Sequence, residues 1–204
     1  MKKQVFIDYL EKYHPKRTED LIKKFEDFHQ YLWEENSKVN LISRKVPAED
    51  YWTYHLLDSI LPTSVIDFSN MKVLDFGSGG GLPGIPLKLI FPTAEIYCLD
   101  SRRKKMLAVK NMIKKLDLSG CFTIVSRLEE MDENWHGKFD YIVCRSVKIL
   151  PEYKEKLFKL IKPGGKIVLY KSKLLDDVEQ FANKKMHDLS HPEIGTRKII
   201  EITK

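Results

Sequence analysis

The stretch Val73-Leu74-Asp75-Phe76-Gly77-Ser78-Gly79-Gly80-Gly81-Leu82-Pro83-Gly84 decides the fold. A short apolar segment runs into a glycine-rich turn, and the apolar residues of 82–91 then predict a helix. Glycine lets backbone approach a ligand closely, and a helix start presents N–H groups without intrahelical partners. In an open parallel sheet, such a strand–turn–helix unit lies at the carboxyl edge, where ligands bind.

Outward from this turn, the pattern alternates. Strands are expected at 94–99, 121–125, 139–144 and 166–170, the last after the turn Pro163-Gly164-Gly165. Helices are expected at 102–117, 151–161 and 174–186, with a final β-branched run over 198–203. Strands alternating with helices imply an α/β fold, a doubly wound and mainly parallel sheet covered on both faces. This domain spans 66–204. Residues 1–65 read instead as a helical cap of the same globule. Leu21, Phe25, Phe28 and Leu32 recur at three- and four-residue steps. After Pro47, residues Ala48, Trp52, His55, Leu56 and Ser59 share one side of a second helix, and 36–41 connects the two.

At 204 residues, with 43% hydrophobic and 31% charged residues, the chain can fill one core. No apolar run approaches the ~20 residues that span a bilayer, and Asp8 and Glu11 interrupt any leader-like segment, so a cytoplasmic location is expected. Cys98, Cys121 and Cys144 form no C-x-x-C pair and lie in or beside strand-like runs, which predicts reduced thiols and no metal site. Charge is uneven: 1–70 holds 10 Lys/Arg against 12 Asp/Glu, whereas 71–204 holds 25 against 17. A basic face suits a phosphate-bearing partner.

Two ligands compete for the turn. Gly79-x-Gly81-x-x-Gly84 satisfies a dinucleotide fingerprint, whereas Asp75-x-Gly77-x-Gly79-x-Gly81 suits S-adenosylmethionine. An acidic residue in the turn opposes a pyrophosphate, yet Asp75 can receive the methionine ammonium directly or through water. Asp100, at the end of the next strand, can accept hydrogen bonds from both ribose hydroxyls or cap the following helix. Just after the third strand, Leu128 is placed to pack beside an adenine and Glu129 to accept from its exocyclic amine.

With those pieces in place, the chain resembles the RsmG family, also called glucose-inhibited division protein B, bacterial methyltransferases that modify small-subunit ribosomal RNA. The resemblance runs from about residue 36 nearly to the end. It is carried by Asn40-Leu41-Ile42-Ser43, His55-Leu56-Leu57-Asp58-Ser59, Gly79 to Leu87, Leu99-Asp100-Ser101 with Arg102, Lys104 and Lys105, Ser126 to Glu130, and Arg145-Ser146-Val147. It implies the class I S-adenosylmethionine-dependent methyltransferase fold and N7 methylation of guanine 527 of 16S rRNA, in free RNA or the small subunit. It also implies cofactor contacts at Gly77, Leu82, Leu128, Glu129 and Arg145. The chain departs from the family after the fifth strand, where Tyr170-Lys171-Ser172-Lys173 replaces a frequent Lys-Gly, and its amino-terminal region looks short.

Guanine N7 has an in-plane lone pair and no proton, so it attacks a sulfonium methyl without a general base. No catalytic residue is therefore named. The strand ending in Cys144-Arg145-Ser146-Val147 lacks the Asp/Asn-Pro-Pro-Tyr of exocyclic-amine enzymes, and Cys144 lacks the neighbours of a pyrimidine-C5 nucleophile. Arg145, at that strand's ligand edge, is expected to contact the cofactor carboxylate, an RNA phosphate or the guanine edge, or else to form a structural ion pair. His55 and Asp58, one turn apart, either cap the pocket or pack structurally. Arg102, Arg103, Lys104, Lys105 and Lys173 are candidate phosphate contacts, and Lys171 and Arg197 are the leading substrate-binding residues. The competing readings are an NAD-dependent oxidoreductase and a non-catalytic RNA-binding assembly factor. A monomer is expected, as is loss of cofactor binding in a Gly77→Val variant that stays folded.

Overall fold

Strand β1 (Lys72–Phe76) lies between β2 (Glu95–Asp100) and β4 (Phe139–Arg145) in a seven-stranded sheet of order β3-β2-β1-β4-β5-β7-β6. The computed structural model describes residues 1–204. Strands β1, β2, β3 (Cys121–Val125), β4 and β5 (Ile161–Lys171) are parallel, whereas β7 (Lys198–Ile202) runs antiparallel to both β5 and β6 (Lys184–Asp188). Strand order reverses at β1, because the chain moves outward to β3 on one side and then returns to β4 on the other. A crevice opens where the loops after β1 and β4 diverge, and its floor is the carboxyl ends of those strands. The linking helices are α4 (Gly84–Ile90), α5 (Arg103–Lys115) and α6 (Pro151–Leu160).

The amino-terminal region packs as α1 (Lys2–Tyr13) and α2 (Thr18–Lys38), followed by an irregular helical stretch. Leu21, Phe25, Phe28 and Leu32 are all fully buried, as their spacing predicts. Each such side chain contributes roughly 1.5–3 kcal/mol through removal from water. They share one core cluster with Val73, Ile85, Val109 and Tyr170 of the sheet and its helices. After Pro47, the chain is not one regular helix. It passes through 3-10 geometry at Ala48–Asp50, π-helical geometry at Trp52–Leu57, the single α-turn α3 (Asp58–Ile60) and 3-10 geometry again at Leu61–Ser64. The Tyr170 hydroxyl donates to the Ser59 carbonyl at 3.0 Å and ties this stretch to the sheet.

The tail corrects the expected helix over 174–186. Only Asp176–Val178 turns, in 3-10 geometry, and Lys184–Asp188 is strand β6. Val178 and Phe181 are held in a core cluster while Leu174 and Met186 stay exposed. The open edge of β7 offers backbone groups that 184–188 satisfies, with Met186 opposite Ile200. The helix expected from Leu82 likewise begins only at Gly84.

Candidate functional site

The glycine turn is organised by Asp75, which is fully buried behind it. One carboxylate oxygen accepts from the Ser78 hydroxyl at 2.6 Å and from the Gly84 N–H at 2.8 Å, so a single atom joins both ends of the turn. The first N–H of α4 is therefore spent within the protein. The other carboxylate oxygen, Oδ1, is buried without a partner. Gly77, Gly79 and Gly81 have φ of +75°, +56° and +81°, the left-handed region that glycine adopts without strain. Gly77 and Ser78 N–H both donate to the Leu99 carbonyl, at 2.9 and 3.0 Å, which docks the turn onto β2.

Asp100 occupies the tip of β2. Its two carboxylate oxygens accept from Gly79 N–H at 3.1 Å and from Arg102 N–H at 2.8 Å. It thus positions both the turn and the start of α5, and each oxygen retains lone-pair capacity for a ligand. Two cavities meet at Gly77, Asp100 and Lys105 and form one continuous cleft. The first, about 430 Å³, is lined by the glycine turn, Leu82, His55 and Arg145. The second, about 490 Å³, is lined by Phe76, Leu99, Leu128, Glu129 and Tyr153. The Asn36 side chain shapes the first cavity from the cap: its carbonyl accepts from the N–H groups of Leu41 and Ile42, at 2.9 and 3.0 Å, and so holds 41–43 at the mouth.

Arg145 reaches across the crevice rather than into solvent. Its Nη1 donates to Asp58 Oδ2 at 2.9 Å and to the Tyr54 carbonyl at 3.3 Å, while its Nε is buried without a partner. Arg197 Nε lies 2.6 Å from Asp58 Oδ1, at ion-pair distance although its N–H is not aligned for a hydrogen bond. One carboxylate, 3% exposed, therefore joins two guanidinium groups that are 10% and 19% exposed. The three residues come from the cap, from β4 and from the segment entering β7, and the cluster keeps a net positive charge beside the glycine turn. His55, against Tyr51, has both ring nitrogens buried and unpartnered. Burial first, and the neighbouring Arg145 charge second, push its pKa down to about 3, so the imidazole is neutral at physiological pH.

Burial pushes the Asp75 pKa up to about 6, against the opposing pull of the Ser78 and Gly84 hydrogen bonds and of Arg145. Because the folded value lies above the unfolded one, the protonated form favours folding, and that contribution is lost as pH rises through about 6. Asp75→Asn removes the penalty. The unfolding free energy of the variant relative to the parent should rise between pH 4 and 7 by about 2–3 kcal/mol. Parallel urea titrations across that range measure the difference, and a flat difference would show that Asp75 is ionised without cost.

The family model described as rRNA small subunit methyltransferase G matches residues 21–197. The chain belongs to this family. Among its members, the small-subunit methyltransferase G of Mesoplasma florum is 35% identical over 171 residues, covering 84% of this chain and 71% of the relative. That of Christiangramia forsetii is 31% identical over 194 residues, covering 90% and 89%. Among solved structures, a predicted O-methyltransferase from Agrobacterium tumefaciens superposes with a TM-score of 0.59 at 13% identity, over 71% of this chain and 79% of that one. The fold is that of the class I methyltransferases.

Within this family member, the residues singled out from sequence fall into distinct places. Gly77, Gly79, Leu82, Asp100, Leu128, Glu129 and Arg145 all line the cleft, whereas Asp75 stands behind the turn with one oxygen already committed. Arg197 lines the cleft, but Lys171 does not: its ammonium is tied to Asp177 and to the Val147 carbonyl, and only 10% of the side chain is exposed. Of the basic run, Lys105 turns inward toward the Leu41 carbonyl and lines both cavities. Sequence reading missed Tyr54, Ser146 and Tyr153 as lining residues, since none belongs to a periodic or glycine-marked pattern. All three cysteines are buried, and burial pushes the Cys144 thiol well up, which removes it as a nucleophile.

Proposed function

We propose that the chain transfers the methyl group of S-adenosylmethionine to N7 of guanine 527 in 16S rRNA, and that it does so in the cytoplasm. The observation that carries the reading is the continuous cleft over the ends of β1, β2 and β4, with Asp100 at its junction and the glycine turn along one wall. A nucleoside with an amino-acid tail matches that shape. Leu128 and Glu129 would hold adenine, Asp100 the ribose hydroxyls, and the open glycines of 77–79 the backbone of the methionine portion. The unspent donors of Arg145 would receive its carboxylate, and the partnerless Oδ1 of Asp75 favours an ammonium nearby.

The donor supplies an electrophilic methyl on a positively charged sulfur. The protein's part is to align N7 with that methyl and to keep both positioned in a walled cleft. No side chain needs to take a proton, which agrees with the low basicity that burial gives His55 and with the buried Cys144. Arg197, which lines the same cavity, is the proposed substrate-side group.

The test is transfer of labelled methyl to small ribosomal subunits lacking the modification, followed by nucleoside mapping. Label recovered as 7-methylguanosine at one site is expected. Label in any other nucleoside, or binding of NAD with no binding of S-adenosylmethionine by calorimetry, would overturn the assignment.

A further inference from the structure

A third cavity, about 290 Å³, adjoins the glycine-turn cavity and shares Ser146 and Arg197 with it. It also shares Val147 and Lys148 with the Leu128 and Glu129 cavity, so it lies beyond the ends of β4 and β5, alongside the middle of the cleft. Ser146, where the two cavities meet, has φ of +61°, a conformation that a non-glycine residue adopts at a cost. The wall is rigid: the Lys171–Asp177 pair is 10% and 4% exposed, and Asp177 also accepts from Ile149 N–H at 2.8 Å. The rim differs. Lys148 Nζ and Asp176 Oδ2 pair at 3.1 Å with 67% and 64% of their side chains exposed. An exposed pair of this kind exchanges partners at little cost.

We propose that this cavity seats the target guanine, with Lys148 facing O6 and Asp176 accepting from N1–H and the N2 amine; the inference rests on the N7-methylation reading above. With N7 turned toward the methyl donor, the order of groups along the purine edge is set: O6 lies next to N7, then N1–H, then the amine. A cation beside a carboxylate complements that order. Adenine in the same pose places its N6 amine against the ammonium and an unprotonated N1 against the carboxylate, so both contacts fail. The buried pair, committed to Val147, Ile149 and each other, cannot serve this role.

The test compares the parent protein with Asp176→Asn on small subunits assembled with either guanine or hypoxanthine at the target position. Hypoxanthine keeps O6 and N1–H but lacks the N2 amine. On guanine, Asp176→Asn should lower kcat/KM by about 10- to 100-fold. Cofactor affinity by calorimetry should stay unchanged. On hypoxanthine the two proteins should differ by only ~3-fold, since one of two contacts is already missing. Unchanged kcat/KM on guanine overturns the proposal, and so does an equal loss on both bases, which marks general damage. Failure of the parent protein to methylate guanine is a separate result that overturns the N7-methylation reading itself.

Discussion

Asp58→Ala will destabilise the protein by about 3–5 kcal/mol, because removing one partner of a buried ion pair leaves the others uncompensated. Here two guanidinium groups, 10% and 19% exposed, lose their only shared carboxylate. Neither has a second acid within ion-pair distance. For a chain of 204 residues, a loss of this size lowers Tm by roughly 6–20 °C. Asp58→Asn retains the shape and one acceptor oxygen, so it separates charge from packing and should fall between parent and alanine variant. The cluster joins the cap, β4 and the tail, so hydrogen exchange should rise first at the cap stretch 52–60. A loss below about 1 kcal/mol in urea titrations would mean that solvent already screens the two arginines.

Gly77→Val should abolish measurable cofactor binding and also impair folding, in contrast to the folded variant expected from sequence. A Cβ on Gly77 would approach Val147 Cγ2 to inside 3.0 Å, and φ of +75° is strained for any β-branched residue. The strain and the overlap together cost on the order of 2–5 kcal/mol. A pair of variants separates the effects. Gly77→Ala should lose both stability and affinity, and adding Val147→Ala should return much of the stability while affinity stays at least 10-fold weaker. That residual loss follows because the new methyl group still occupies the edge shared by the two cavities. Parental affinity in the double variant, measured by calorimetry with S-adenosylmethionine, would place the cofactor elsewhere.

Those two positions show how much of the site was legible beforehand. Gly77 was visible because a glycine turn between an apolar strand and a helix is a local pattern, readable over a dozen consecutive residues. Asp58 was visible only as an acid one turn from a histidine. Its two partners lie 87 and 139 positions away in the chain, and nothing in local spacing connects them. The same limit explains Lys105, one of four adjacent cations, which alone lines both cavities and reaches the Leu41 carbonyl, held there by Asn36.

The sequence by itself determined the alternation of strands and helices, the position of the glycine turn and the acid at the tip of β2. These are properties of neighbouring residues: hydropathy at periods of two and 3.6, and backbone freedom at glycine. Only the tertiary structure decided that Asp75 braces the turn from behind, that Lys171 is locked against Asp177, and that 184–188 is a strand. Each depends on which distant backbone or charge is brought alongside. A buried polar group or an open strand edge takes the partner that packing supplies, whatever its local propensity.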